Sequence, residues 1–313
     1  MAACSPACTP PDAKAPEGDA PAKTANPSTP AGDEDGDEGG DAKREQARAQ
    51  LENGGNSGDM IMDAKGVDTS KLTETQRTTF FQIINREPSA CDQPHSIAKS
   101  LRDDPNCRDS LIVAQFVADA LASGAPSSAV RAEIDPIVEA LQPKDINIKG
   151  RPVYGSDKAP VTIVMFADFE CPHCRAEAPV MRKLVDQFRG RAKLVFKHFP
   201  LGGHDRAKPA AIAVEAAHQQ GKFWEMHDLV FANQTALSDA DLLEYAKEIG
   251  LDLPKFKKDI ADKKVKADVE ADRAEGDKLD IQGTPTVYVN GRLVNDRLFG
   301  GTVAGWVDDA LNR

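Results

Sequence analysis

The sequence predicts an α/β domain preceded by a small all-α module and a disordered N-terminal tail. Three observations carry this. The apolar run at 161–166 reads as a short buried strand. It is followed by Cys171-Pro172-His173-Cys174 and a helical pattern, and a second apolar run at 193–198 completes a strand–helix–strand unit. From 71 to 143, apolar residues recur at helical spacing between capping and stop signals. Residues 1–70 are rich in Ala, Pro, Gly, Asp and Glu, a composition that cannot bury enough apolar surface to fold.

The 313 residues allow two domains and a tail, and the formal net charge of -11 argues against a nucleic-acid partner. No stretch approaches a membrane-spanning length of apolar residues. Six cysteines, Cys4, Cys8, Cys91, Cys107, Cys171 and Cys174, pair naturally along the chain, which suggests an oxidising compartment.

The tail, 1–70, reads as a tether. Its acidic run, Asp33-Glu34-Asp35-Gly36-Asp37-Glu38, is expected to solvate rather than bind, and 53–58 is a Gly/Asn spacer. Residues 43–51 have transient helical character. Met1-Ala2-Ala3-Cys4 looks like the end of a bacterial lipoprotein signal, so lipidation of Cys4 is one expectation; incidental tail cysteines, or a Cys4–Cys8 pair, are the other.

The helical module, 71–143, opens on Thr73-Glu74-Thr75-Gln76, a capping box, with Phe80, Phe81 and Ile84 on one face and Pro88 as a stop. A second helix is expected over 94–101. A third carries Leu111, Ile112, Gln115, Phe116 and Ala120 and closes at Gly124. Ser127 or Ser128 caps a fourth, which Pro136 should kink or shorten. Cys91 and Cys107 bracket the second helix and are expected to form a structural disulfide, worth about 3 kcal/mol for a loop of this size. A second redox pair is the alternative, and nothing local in the sequence marks either sulfur as activated. His95 reads as a surface or capping residue.

A connector over 143–151 carries an edge-strand candidate at 146–148. Beyond it, Cys171 and Cys174 sit where a strand gives way to a helix, whose apolar positions include Val180, Leu184, Val185 and Phe188. The first helical turn has unpaired N–H groups and the positive end of the dipole, and both favour a thiolate at Cys171. Pro172 fits that turn because it has no N–H to lose. His173 adds positive charge. Cys174 lies one turn on, more buried, as the resolving partner. A labile, oxidising disulfide is the expected result. Half of a zinc site would need two more ligands at suitable spacing, and the sequence offers no second such pair.

Residues 204–280 read as helical, ending in a charged, solvent-facing helix at 263–279; His198, His204, His218 and His227 are scattered singly within or near them and read as structural or exposed. Gly283-Thr284-Pro285 leads to a strand at 287–289, the Asn290-Gly291 hairpin and a return strand at 292–294. A last helix at 302–311 packs Trp306 on the sheet.

Gly155-Ser156-Asp157-Lys158-Ala159-Pro160-Val161-Thr162, then Phe166-Ala167-Asp168-Phe169-Glu170 and the Cys-Pro-His-Cys motif, resemble the DsbA-like branch of the thioredoxin superfamily. Lys222-Phe223-Trp224-Glu225-Met226-His227-Asp228 resembles that family's inserted helical domain, and Gly283-Thr284-Pro285-Thr286 its active-site proline loop. The resemblance covers 150–313. It implies a thioredoxin-like fold with a helical insertion at 204–280. It also implies that Pro285 is cis and that Thr284 and Pro285 flank Cys171 and hold the substrate peptide. The implied activity is thiol–disulfide exchange without a cofactor, most directly the introduction of disulfides into exported, cysteine-containing proteins. A membrane quinone-coupled thiol oxidase would regenerate the enzyme, in the periplasm or another extracytoplasmic space. Disulfide isomerase or reductase activity and a redox-inactive tethered binding adaptor are the alternatives. The chain departs from the family where Met165 replaces a buried acid, with Asp168 nearby.

Overall fold

The computed structural model describes residues 39–53 and 60–313; Cys4, Cys8, the acidic run at 33–38 and the spacer at 54–58 lie outside these. Within the stretch read as a tether, Gly39–Asn53 is a helix, α1. It is bound by charge rather than apolar surface. Arg48 reaches the Glu87 carboxylate at 2.7 Å and Asp135 at 3.0 Å, and Arg44 meets Asp135 at 2.9 Å. Residues 60–73 also pack down: Ile61 exchanges two hydrogen bonds with the Asn85 amide, and Leu72 is buried.

The helical module contains α2 (Glu74–Arg86), α3 (Ile97–Asp103), α4 (Arg108–Ala122), α5 (Ser127–Ala132) and α6 (Ile134–Leu141). The Thr73 capping box forms on both sides with Gln76, and Phe80, Phe81 and Ile84 are buried. Two expectations are corrected. The fully buried face of α4 is Val113, Ala114, Val117, Ala118 and Leu121, one step round from the face at Leu111, Ile112 and Phe116, which are only partly covered. The fourth helix is two. The chain breaks at Glu133, and Pro136 falls in the first turn of α6, where a missing N–H costs nothing. A disulfide joins Cys91 and Cys107.

A five-stranded mixed sheet follows, in the order β1 (Val153–Gly155), β3 (Ala192–His198), β2 (Val161–Ala167), β4 (Thr286–Val289), β5 (Arg292–Leu293). β2 and β3 are parallel, joined through α7 (Pro172–Gln187). The other pairs are antiparallel. β1, not 146–148, is the edge strand. The backbone at Asn147 is taken by side chains instead: its N–H donates to Glu275 at 2.7 Å, and its carbonyl accepts from Lys197 at 2.9 Å. Val180 is also corrected. It is 53% exposed, because α7 buries the 174–178–181–185 stripe and Val180 lies off it.

The insertion comprises α8 (Ala207–His218), α9 (Phe223–Ala232), α10 (Asp239–Glu248), α11 (Leu253–Ala261) and α12 (Lys263–Lys278). α12 is not solvent-facing throughout: Val265, Val269, Asp272 and Gly276 are buried. Asp272 pairs with Lys197 at 2.8 Å and Arg151 at 3.2 Å. Gly276 lies against Phe199, whose ring would be 2.4 Å from an added Cβ. The final helix, α13 (Val303–Leu311), buries Trp306. Residues 40–313 cluster as one unit, and the module shares a continuous core with β2, β4 and α13.

Candidate active site

β2 is central in the sheet and ends at Ala167, so Asp168, Phe169 and Glu170 carry the chain across its edge into α7. Phe169 anchors this turn. It is fully buried, stacked on Phe196 at 5.4 Å and tilted on Phe231 at 4.6 Å. Cys171 is then the N-cap of α7, in extended conformation, and Pro172 opens the helix. Neither sulfur caps the helix through a side-chain bond, so the first-turn N–H groups remain directed at the motif. His173 is exposed and Cys174 is sealed at 0% exposure, while Cys171 keeps 4%.

Across the motif lies the loop before β4. The Thr284–Pro285 peptide is cis. The Cys171 thiol donates to the Thr284 carbonyl at 3.2 Å. The Thr284 hydroxyl is buried and faces Cys174 without a nearer partner among the described residues. Burial pushes the Cys174 thiol up to about 12, against the Asp168 N–H and the Thr284 hydroxyl, which favour its thiolate. Cys174 is thus protonated and sealed behind a marginally exposed Cys171.

Two supports of the motif, through His204 and Gln234, escape sequence reasoning. The Asp168 carboxylate is buried and accepts from the Glu170 N–H at 2.6 Å, the Leu201 N–H at 2.7 Å and His204 Nδ1 at 2.8 Å. His204 thus belongs to the site's frame and is not a stray histidine. The other support is Gln234, after α9. Its amide donates to the Phe169 carbonyl at 2.8 Å and the Cys171 carbonyl at 2.9 Å, fastening the insertion onto the motif. Asp168 is visible in the sequence as an acid beside the cysteines. Gln234 carries no local signal, because its partners are 63 and 65 residues away. The Cys91–Cys107 pair belongs to the module, not to this site, and the described residues contain no cluster able to hold a metal.

A family model described as Thioredoxin matches residues 147–309, more than half of the chain. The probable disulfide bond formation protein D of Bacillus cereus is 39% identical over 153 residues, which are 45% of this chain and 70% of that protein. This chain belongs to the DsbA-like branch of the thioredoxin family. Among other relatives of this DsbA-like chain is the Na(+)/H(+) antiporter NhaA 3 of Salinispora tropica, 45% identical over 141 residues. That match covers 45% of this chain and 22% of the antiporter, so the chain spans about a fifth of that relative's length. The crystal structure of BdbD from Bacillus subtilis, in oxidised form, is 27% identical, covers 53% of this chain and 96% of that one, and superposes with a TM-score of 0.47.

Proposed function

We propose that this DsbA-like chain is a protein thiol–disulfide oxidoreductase that introduces disulfides into exported proteins. One observation carries the reading: Cys171 stands at the N-terminus of α7, in hydrogen-bond contact with the cis-proline loop, with Cys174 buried behind it. In the oxidised enzyme, a substrate thiolate attacks Cys171 Sγ and the bond to Cys174 breaks. Cys174 leaves with the electron pair and takes up a proton. The substrate's second thiolate then attacks the mixed disulfide, releasing Cys171 as a thiolate favoured by the helix N-terminus and by His173. Thr284 and Pro285 hold the substrate backbone alongside. The product is a substrate disulfide and a reduced enzyme, which a quinone-coupled membrane thiol oxidase would reoxidise in an extracytoplasmic space. Lipidation of Cys4 would keep the two together, and intact-mass measurement of native protein tests it.

The test mixes oxidised protein with reduced, unfolded ribonuclease. The proposal expects ribonuclease disulfides to appear as Cys171–Cys174 is lost; no transfer would favour a redox-inactive adaptor. Disulfide isomerisation or reduction is the second reading, because by resemblance a threonine before the proline, as at Thr284, also occurs in isomerase and reductase branches. Reactivation of scrambled ribonuclease without net oxidation would support it.

A further inference from the structure

The Cys91–Cys107 disulfide is wired to a histidine through buried hydroxyls. Ser89, Ser100 and Ser110 are 2%, 0% and 0% exposed and lie in series. His95 Nε2 is 3.1 Å from Ser100 Oγ. Ser100 Oγ donates to Ser89 Oγ at 2.9 Å. Ser89 Oγ is 3.4 Å from Ser110 Oγ and 3.7 Å from Cys107 Sγ, and Ser110 Oγ is 3.0 Å from Cys107 Sγ. The direction of the chain follows from counting protons, since each hydroxyl has one. Ser100 spends its proton on Ser89, so it accepts from His95, which must carry a proton on Nε2. Ser89 already accepts from Ser100 and from the Cys91 N–H at 3.2 Å, so its proton points onward. Ser110 accepts from the Ala90 N–H at 3.0 Å. A disulfide sulfur has no proton, so Ser110 donates to Cys107. The series therefore runs one way, from half-buried His95 to the sulfur.

Cys107 is also the N-cap of α4, a helix of 15 residues, and no side chain caps that end. Its sulfur therefore has a helix N-terminus and a directed hydroxyl, both of which stabilise a leaving thiolate. Cys91 is the more accessible of the two: it is half-buried, while Cys107 is buried.

We propose that Cys91–Cys107 is a second exchangeable disulfide, attacked at Cys91 by a protein dithiol, with Cys107 leaving onto the serine chain. The incoming thiolate bonds to Cys91 Sγ and the bond to Cys107 breaks. Cys107 keeps the electron pair and receives a proton from His95 imidazolium, relayed through Ser100, Ser89 and Ser110, which leaves His95 neutral. The dithiol's second thiolate attacks the mixed disulfide and frees Cys91, which takes a proton from water. The dithiol is oxidised by two electrons and the cystine is reduced by two. Nothing in this step depends on the activity proposed for Cys171.

The test uses the full chain with Cys171→Ser and Cys174→Ser, and dithiothreitol as the dithiol. Alkylation and peptide mapping follow Cys91 and Cys107 separately from Cys4 and Cys8, while circular dichroism confirms that the protein stays folded. The proposal expects reduction in the folded state. His95→Ala should slow it about 10²-fold, the low end for general acid catalysis, and Ser100→Ala should do the same. Added imidazole should restore His95→Ala but not Ser100→Ala. Reduction only in step with urea unfolding, or equal rates in all three proteins, would show a purely structural cystine and overturn the proposal.

Discussion

At Cys171 and Cys174, two sulfurs a helical turn apart differ in exposure, and the proposed exchange rests on that difference. Cys171→Ser should abolish oxidation of reduced ribonuclease, and Cys174→Ala should retain attack but accumulate mixed disulfides, read by non-reducing electrophoresis. His173→Ala removes an exposed imidazole beside Cys171 and should make the pair less oxidising in glutathione buffers; an unchanged equilibrium would exclude His173 from the mechanism. A further residue-scale prediction concerns His227. Burial lowers its pKa from the usual 6.5, despite Asp228 alongside. The unfolded chain therefore binds the extra proton first as pH falls below 6.5, so His227 contributes stability above that pH and loses it below. His227→Phe, within the same aromatic cluster, should flatten the decline in melting temperature between pH 7 and 5. The place of the cysteines and Pro172 at the start of a helix was legible in local spacing, and the cis Thr284-Pro285 peptide in the family resemblance. His204 and Gln234 were not, because each acts through a partner more than thirty residues away.

The elements were legible wherever a local signal agreed with the tertiary demand. The Thr73 capping box, the parallel β2–α7–β3 unit and the Asn290-Gly291 hairpin are of this kind. The failures share a cause. The phase of α4, the outward Val180 and the buried stripe of α12 depend on which neighbour covers the helix, and periodicity alone does not report that. α12 shows the consequence. Gly276 is there because Phe199 occupies the volume of its missing side chain. Gly276→Ala should raise helix propensity and still destabilise, by about 1–3 kcal/mol of overpacking, and Phe199→Leu in the same protein should recover part of the loss. In the module, Cys91→Ala should cost about 3 kcal/mol by opening the loop, read as a lowered urea midpoint.

Over the whole molecule, charge fastens what apolar packing begins. Asp309 is buried against Arg108 of α4 at 2.8 Å and Arg313 at 2.7 Å, and Asp109 meets Arg292 and Arg313. These contacts join the module to α13 and the edge of the sheet. Asp309→Ala should destabilise by about 1–2 kcal/mol, because both arginines keep access to water. With one shared core, Trp306 fluorescence and far-ultraviolet circular dichroism should report a single unfolding transition in both proteins. The sequence suggested an appended module; its attachment was hidden because the core is shared across elements distant in the chain and the ion pairs that fasten it join residues some two hundred positions apart. The most direct test of the whole reading is the equilibrium of Cys171–Cys174 with glutathione, read by alkylation and mass spectrometry. The pair should be reduced in buffers that leave a structural disulfide intact. If it stays oxidised until glutathione is strongly reducing, the helix N-terminus does not favour the reduced form and the oxidase reading is wrong.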